Sequence, residues 1–313
     1  MKRIVVWKNR FILFGMMVMA LLFISGCSGD DLTPKSGSTP TPTPWPAFNT
    51  SNLPLAVTGA SGGYGSFAFD ANGNLLFVAN NTDEIRLLDR STCTVTTVAT
   101  GVSGGSTLLG MIYYQDFIYV GAENGNLYKV NPTNGSSTVL TTFPMGEELN
   151  GVVIAPATYG SYGGQLIVAS DTGNIYAVDQ SAALPTPVLI ADIGTSPASA
   201  LIFGNDGTLY VADHYGDKIV TVTAAGVVAD FATGLSEPDG LAINSSGNLL
   251  YVANSDDDTV KSVTIPGGIV TTIFTPVDFD SGFWPSPIIF DDPSNSLLVG
   301  TGEVELIISN YNF

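Results

Sequence analysis

The sequence predicts an all-β fold assembled from one repeated unit. Three observations predict it. Eight residues recur with one conservative change 174 positions apart, as GNLLFVAN at 73–80 and GNLLYVAN at 247–254. Short apolar strands rich in Val, Ile, Leu and Tyr alternate with turns rich in Gly, Asn and Asp, without helical periodicity. The chain is 45% hydrophobic and only 12% charged, with 35 Gly and 18 Pro in 313 residues. Such a composition belongs to a folded, turn-rich body rather than a disordered one.

Each strand of the unit can be placed in order. Aligning on the valine of LLFVAN finds six related strands: LLFVAN (Val78), DFIYVGA (Val120), QLIVAS (Val168), TLYVAD (Val211), LLYVAN (Val252) and SLLVGT (Val299). Their spacings are 42, 48, 43, 41 and 47 residues. A turn and an earlier apolar strand precede each one: SFAFD, GMIYY, GVVIA, SALIF, GLAIN and SPIIF. A third strand follows, such as EIRLLD or NIYAVD, and a fourth, such as VTTVATG or VVADFATG, completes most units. Four strands in a period of about 44 residues match one blade of a β-propeller. Six units predict a six-bladed β-propeller of four-stranded antiparallel blades over residues 53–313. The last unit lacks its outermost strand, and LPLAVTG at 53–59 stands alone ahead of the first. Pairing the two closes the ring and leaves no open sheet edge between the ends.

The N-terminus has a different character. Lys2, Arg3, Lys8 and Arg10 precede FILFGMMVMALLFI at 11–24, a run of about 14 apolar residues where a membrane-spanning helix needs about 20. Basic, apolar and small-residue regions in that order read as a secretory signal at 1–26. The ending ISGC closely resembles the lipobox of bacterial lipoproteins. That resemblance implies that Cys27 becomes a lipidated N-terminus, carrying acyl chains of the palmitate type and held in the membrane of the cell envelope. More than one acyl chain gives a stable anchor where one is marginal. Ser28, rather than Asp, implies outer-membrane sorting in a Gram-negative host. Residues 27–52 then form a Thr/Pro-rich stalk, with TPTPTPWP favouring extended polyproline II. Cys93 is the one other cysteine, so no disulfide framework is expected.

Loss of the leader removes four basic residues and no acid, leaving 28 acidic residues against 6 basic ones and a net charge of −22. That surface repels phosphate backbones and excludes nucleic acid as a partner.

The stretch PDGLAINSSGNLLYVANSDDDTVKSV at 238–263 resembles NHL-type repeats and the wider six-bladed family of gluconolactonase-like and strictosidine-synthase-like proteins. The resemblance spans residues 53–313 and implies architecture. Activity stays open, because binding modules and hydrolases share this fold.

In a propeller, the loops leading into the innermost strands and those leaving the second strands emerge on one face. Glu147, Glu148, Asn150, Glu237 and Asp239 occupy the former, and Asn80, Glu123, Asp171, Asp213 and Asn254 the latter. Asn80, Glu123, Asn150, Asp213, Asp239 and Asn254 are the candidate metal or ligand face. Oxygen donors ringed in this way suit Ca²⁺, which takes six to eight of them. The competing reading is that these residues cap turns locally. LNGVVI and PDGLAI resemble the metal-ligand segments of gluconolactonase-like proteins, which implies Asn150 and Asp239 as Ca²⁺ ligands. That family also has a glutamate ahead of its first blade, where this chain has GASGGYGS. His214 is the sole histidine, which excludes the two-histidine arrangement of streptogramin-lyase relatives. Phe283 and Trp284, in DSGFWPSP, are candidate partner-binding aromatics. The expected function is a lipid-anchored binding or scaffold module for a protein, peptide or glycan. A Ca²⁺-dependent lactone or ester hydrolase is the alternative.

Overall fold

The computed structural model of the chain describes residues 55–57, 66–79, 83–92, 94–194, 197–275, 285–301 and 306–312. The signal at 1–26, Cys27 and its stalk, Asn80, Cys93, Phe283 and Trp284 lie outside the described residues.

Among the described residues the strands form six four-stranded antiparallel sheets, and the fold is a β-propeller. The first sheet comprises β2 (Phe67–Phe69), β3 (Leu75–Ala79), β4 (Glu84–Asp89) and β5 (Thr94–Thr100). The second holds β6 (Leu108–Tyr114), β7 (Phe117–Ala122), β8 (Asn126–Val130) and β9 (Ser137–Thr142). The third holds β10 (Leu149–Ile154), β11 (Leu166–Ser170), β12 (Asn174–Val178) and β13 (Val188–Asp192). The fourth is β14 (Ala198–Phe203), β15 (Leu209–Asp213), β16 (Lys218–Val222) and β17 (Val228–Thr233). The fifth is β18 (Pro238–Ile243), β19 (Leu249–Asn254), β20 (Thr259–Thr264) and β21 (Val270–Phe274). In the sixth, β22 (Ile288–Asp291), β23 (Ser296–Thr301) and β24 (Leu306–Asn312) are joined by β1 (Leu55–Val57), which pairs antiparallel with β24 in the register Leu55↔Ile308.

The second strand of each sheet is buried on both faces, which explains why runs such as LLFVA carry no polar alternation. Leu76 and Val78 turn toward the second sheet and pack with Ile118 and Val120. Leu75 and Phe77 turn the other way and pack with Leu298 of the sixth. The core is thus divided into layers between successive sheets. Tyr119 and Leu166 share one, Val211 and Ile167 another. Tyr210 and Val252 share a third, and Tyr251 packs with Phe290 in a fourth. All six aligned valines are at most 2% exposed. Burying each such aliphatic side chain contributes about 1.5–3 kcal/mol.

A buried ion pair joins the first sheet to the sixth across 201 residues. Arg90, just after β4, sends Nη1–H to Asp291 Oδ1 at 3.0 Å and Nη2–H to Asp291 Oδ2, and its guanidinium lies 5.2 Å from the centre of the Phe69 ring. The Ser294 hydroxyl also donates to Asp291. The two charged side chains are 2% and 1% exposed. Removing one partner strands the other charge in a dry setting, so Arg90→Ala or Asp291→Ala should lower stability by about 3–5 kcal/mol in urea unfolding. The double replacement Arg90→Leu/Asp291→Leu should lose less than either alanine variant.

Candidate functional site

The innermost strands crowd around a common axis, and the backbone shows how they fit. Near the start of β6, β10, β14 and β18 the pairing with the second strand slips. Asn150 falls between the pairs Leu149↔Ser170 and Gly151↔Ala169, and Asp239 between Pro238↔Asn254 and Gly240↔Ala253. Ser199 sits in the equivalent slip between Ala198↔Asp213 and Leu201↔Val211. A bulge of this kind re-aims a side chain out of the sheet's alternation. The glycine beside it has a separate cause. A Cβ on Gly110 would lie 2.4 Å from the Asn150 carbonyl oxygen, and one on Gly240 would lie 2.0 Å from that of Ser286. PDG therefore combines a bulged polar residue, Asp239, with a glycine that lets the next backbone approach, whereas the close approach at LNG is made by Gly110 of the second sheet to the Asn150 backbone.

These strands enclose a cavity of about 730 Å³. Met111, Val152, Leu201, Leu241 and Ile288 line it from successive innermost strands, and its lining is divided about evenly between polar and apolar surface. Antiparallel pairing sets the start of each innermost strand beside the end of the second strand, so the polar groups gather at one mouth. Glu123, Glu148, Asn150 and Asp171 lie there from the second and third sheets. Ser199, His214, Tyr215 and Asp239 lie there from the fourth and fifth.

The carboxylates differ in how they are held. Glu147 is buried within its own sheet and is not among the residues lining the cavity. Burial pushes its carboxyl up, but hydrogen bonds from Ser170, Thr172, Tyr176 and Asn174 outweigh burial and bring it below the usual carboxylate range. Thr172 Oγ1–H and Tyr176 O–H each donate at 2.6 Å, and Asn174 Nδ2–H at 2.9 Å. Its neighbour Glu148 shifts the other way, pushed up by burial and then by the charges of Asp171 and Glu123. The Glu148 backbone N–H donates to Asp171 Oδ1 at 2.7 Å, which fixes this corner of the mouth. Asp239 is also raised, by burial first, with a Ser286 hydrogen bond and His214 partly offsetting it. His214 Nε2 lies 3.7 Å from Glu237 Oε2, its Nδ1 lies 3.4 Å from the Pro238 carbonyl oxygen, and its ring meets that of Tyr215 with centroids 4.6 Å apart.

Of the residues singled out from sequence, Glu123, Asn150 and Asp239 line the cavity. Asp213 and Asn254 are not among its lining residues, and their side chains serve turns instead. Asp213 Oδ1 accepts the Gly216 N–H at 3.1 Å, with Lys218 Nζ 3.8 Å from the same carboxylate. Asn254 Oδ1 accepts the Ser236 N–H at 2.8 Å, and its Nδ2–H donates to Asp257. The reason is strand alternation. Asp213 and Asn254 stand two positions after the aligned valine, whereas Glu123, Asp171 and His214 stand three positions after it. One residue changes the side to which a side chain points. Ser199 carried no signal of its own, although aligning ASA on LNG and PDG would have marked it. Among the described residues no group of three or more His, Cys, Asp or Glu could hold a metal ion. Asn150 and Asp239 by themselves supply fewer oxygens than the six to eight that Ca²⁺ takes.

No known family profile matches the sequence, and no curated protein matches it. Solved structures do. A gluconolactonase from Xanthomonas campestris aligns with a TM-score of 0.63 at 15% identity, over 80% of this chain and 87% of that one. Regucalcin, a calcium-binding protein from Agrobacterium tumefaciens, gives 0.62 at 17%, over 83% and 96%. An auxiliary nutrient binding protein from Bacteroides thetaiotaomicron gives 0.63 at 16%, over 80% and 69%. At these identities the likeness is one of fold.

The two adjacent glutamates should respond to substitution in opposite directions. The lowered pKa of Glu147 stabilises the fold above the unfolded carboxylate range, and that contribution is lost as pH falls through the folded value. Glu147→Gln should therefore cost roughly 1.5–3 kcal/mol at neutral pH, with a deficit that shrinks in acid. Glu148 is penalised when ionised, so Glu148→Gln should unfold at higher denaturant at pH 7, with an advantage that fades on acidification. Unfolding midpoints measured from pH 7 down to pH 3 check both signs. Gly240→Ala forces a backbone clash and should cost at least about 1–3 kcal/mol by the same measurement.

Proposed function

We propose that the protein is an extracytoplasmic binding module: a six-bladed ring closed by β1 and tethered to the membrane through lipidated Cys27 and the stalk at 27–52. Its ligand, a small molecule or the end of a peptide or glycan, enters the central cavity. The observation that carries this reading is the convergence of Asn150, Ser199 and Asp239 on one cavity, each delivered by the same backbone slip and set among apolar side chains. A concave site in which polar groups converge among apolar side chains is a common form of ligand site. The cavity lies within the size range of such sites, about 300–1,000 Å³. The binding protein from Bacteroides among the structural neighbours supports the same class.

A Ca²⁺-dependent lactone or ester hydrolase is the second reading. It draws on Asn150 and Asp239 lining the cavity and on the gluconolactonase and regucalcin among the neighbours. The two readings part on calcium. A metal present at 100 times its dissociation constant adds about 2.7 kcal/mol of stability. Under the binding reading the melting temperature is the same in millimolar Ca²⁺ and in EDTA, and a panel of lactones and esters is not hydrolysed. A calcium-dependent rise in melting temperature together with turnover would favour the hydrolase. The tether is tested separately. Cells fed labelled palmitate should label the full-length chain, and Cys27→Ser should abolish the label and move the chain from the detergent phase to the aqueous phase.

A further inference from the structure

We propose that the central cavity takes a small organic cation, an ammonium or guanidinium group carried on an apolar body. This rests on the binding reading above and names the chemistry of its ligand.

The first argument is an imbalance of charge. Among the described residues Glu123, Glu148, Asp171 and Asp239 all line the cavity, and no Lys or Arg does. Residues 53–313 contain five Lys and Arg in all, and each is engaged elsewhere. Arg86 pairs with Glu84 at 2.9 Å, and Arg90 with Asp291. Lys129 lies over the Phe117 ring at 3.8 Å. Lys218 pairs with Asp230 at 2.7 Å, and Lys261 with Asp257 at 2.8 Å. Among the described residues His214 is the one basic side chain on the cavity wall.

The second argument contrasts neighbours. Glu147 is surrounded by donors from its own sheet and ionises easily, so this fold can satisfy a buried carboxylate where it needs one for structure. One residue on, Glu148 faces two like charges, and its ionisation is disfavoured. A cation entering the mouth would relieve that repulsion and the desolvation of Asp239 together.

The third argument favours an organic ion. Apolar side chains of Met111, Val152, Leu201, Leu241 and Ile288 line the cavity together with the carboxylates. An apolar body buries that surface as the charged head meets the acids. Tyr215, 66% exposed beside His214, adds an aromatic face for the head group.

The test uses three water-soluble probes of one skeleton: 2-phenylethylamine, 2-phenylethanol and phenylacetate. Each is titrated calorimetrically into the full-length chain in detergent, with detergent alone as the blank. The amine should bind at least about tenfold more tightly than the alcohol, and phenylacetate should give no binding heat. Glu148→Gln and Asp239→Asn, each shown folded by a cooperative melt, should weaken the amine at least fivefold more than they weaken the alcohol. Equal binding of amine and alcohol, or tighter binding of phenylacetate, would overturn the cationic assignment while leaving a binding cavity. Amine binding that ignores both substitutions would overturn it as well, by placing the cation elsewhere. No heat from any probe at 10 mM would also overturn it, and the broader binding reading would then be judged on peptide and glycan arrays.

Discussion

The innermost strands touch one another backbone to backbone, and the form of the cavity follows from that closeness. With a Cβ at Gly110 or Gly240 placed within 2.4 Å of the neighbouring sheet's carbonyl oxygen, a side chain has no room at the point of approach. At Gly110 and Gly240 the strands converge on glycine, and in the fifth sheet the residue beside that glycine, Asp239, is displaced from regular pairing. In the fifth sheet one steric requirement thus bears both on where the sheets meet and on where Asp239 projects. The polar mouth is a by-product of how flat sheets are packed around an axis, put to use.

The acidity of the chain then separates into two populations. Many carboxylates hold loops. Asp83 accepts the backbone N–H of Ser103 and Gly105 in the loop leading to the second sheet, Asp217 accepts that of Glu237 ahead of the fifth, and Asp256 accepts the Ser236 hydroxyl. These groups find their partners in neutral donors, which is why five Lys and Arg suffice for the whole propeller region. The cavity carboxylates form the second population. They sit against hydrocarbon and one another, and Glu148 and Asp239 ionise less readily than an ordinary carboxylate. Overall charge counts cannot tell these populations apart, because each loop-holding acid and each cavity acid contributes the same −1.

The architecture was legible because each unit restates it. A valine at the centre of a strand buried on both faces has few substitutes, so Val78, Val120, Val168, Val211, Val252 and Val299 stand out against variable turns. The site was legible only in part. Asn150 and Asp239 were marked by the glycine that follows them, although the glycine answers to strand crowding rather than to any ligand. Asp213 and Asp171 looked interchangeable in sequence, and one position of strand alternation sends the first into its own turn and the second to the cavity. Ser199 was hidden because Ala200 takes the place of the glycine in its sheet. Phe283, Trp284 and Asn80 lie outside the described residues.

The sheet that joins the two ends of the propeller sets the order in which the molecule can be assembled. Five sheets are drawn from consecutive stretches of chain and need only short loops to form. The remaining one pairs Leu55 with Ile308, and the nearby clamp spans Arg90 to Asp291. Contacts of such long range bear the largest loop-closure entropy and form late. A growing chain can therefore stack its sheets one after another as it is synthesised, yet the circle stays open until Leu306–Asn312 has been made. Until then Leu55–Val57 has no partner strand, and the exposed flanks of the first and fifth sheets are open to the wrong neighbour.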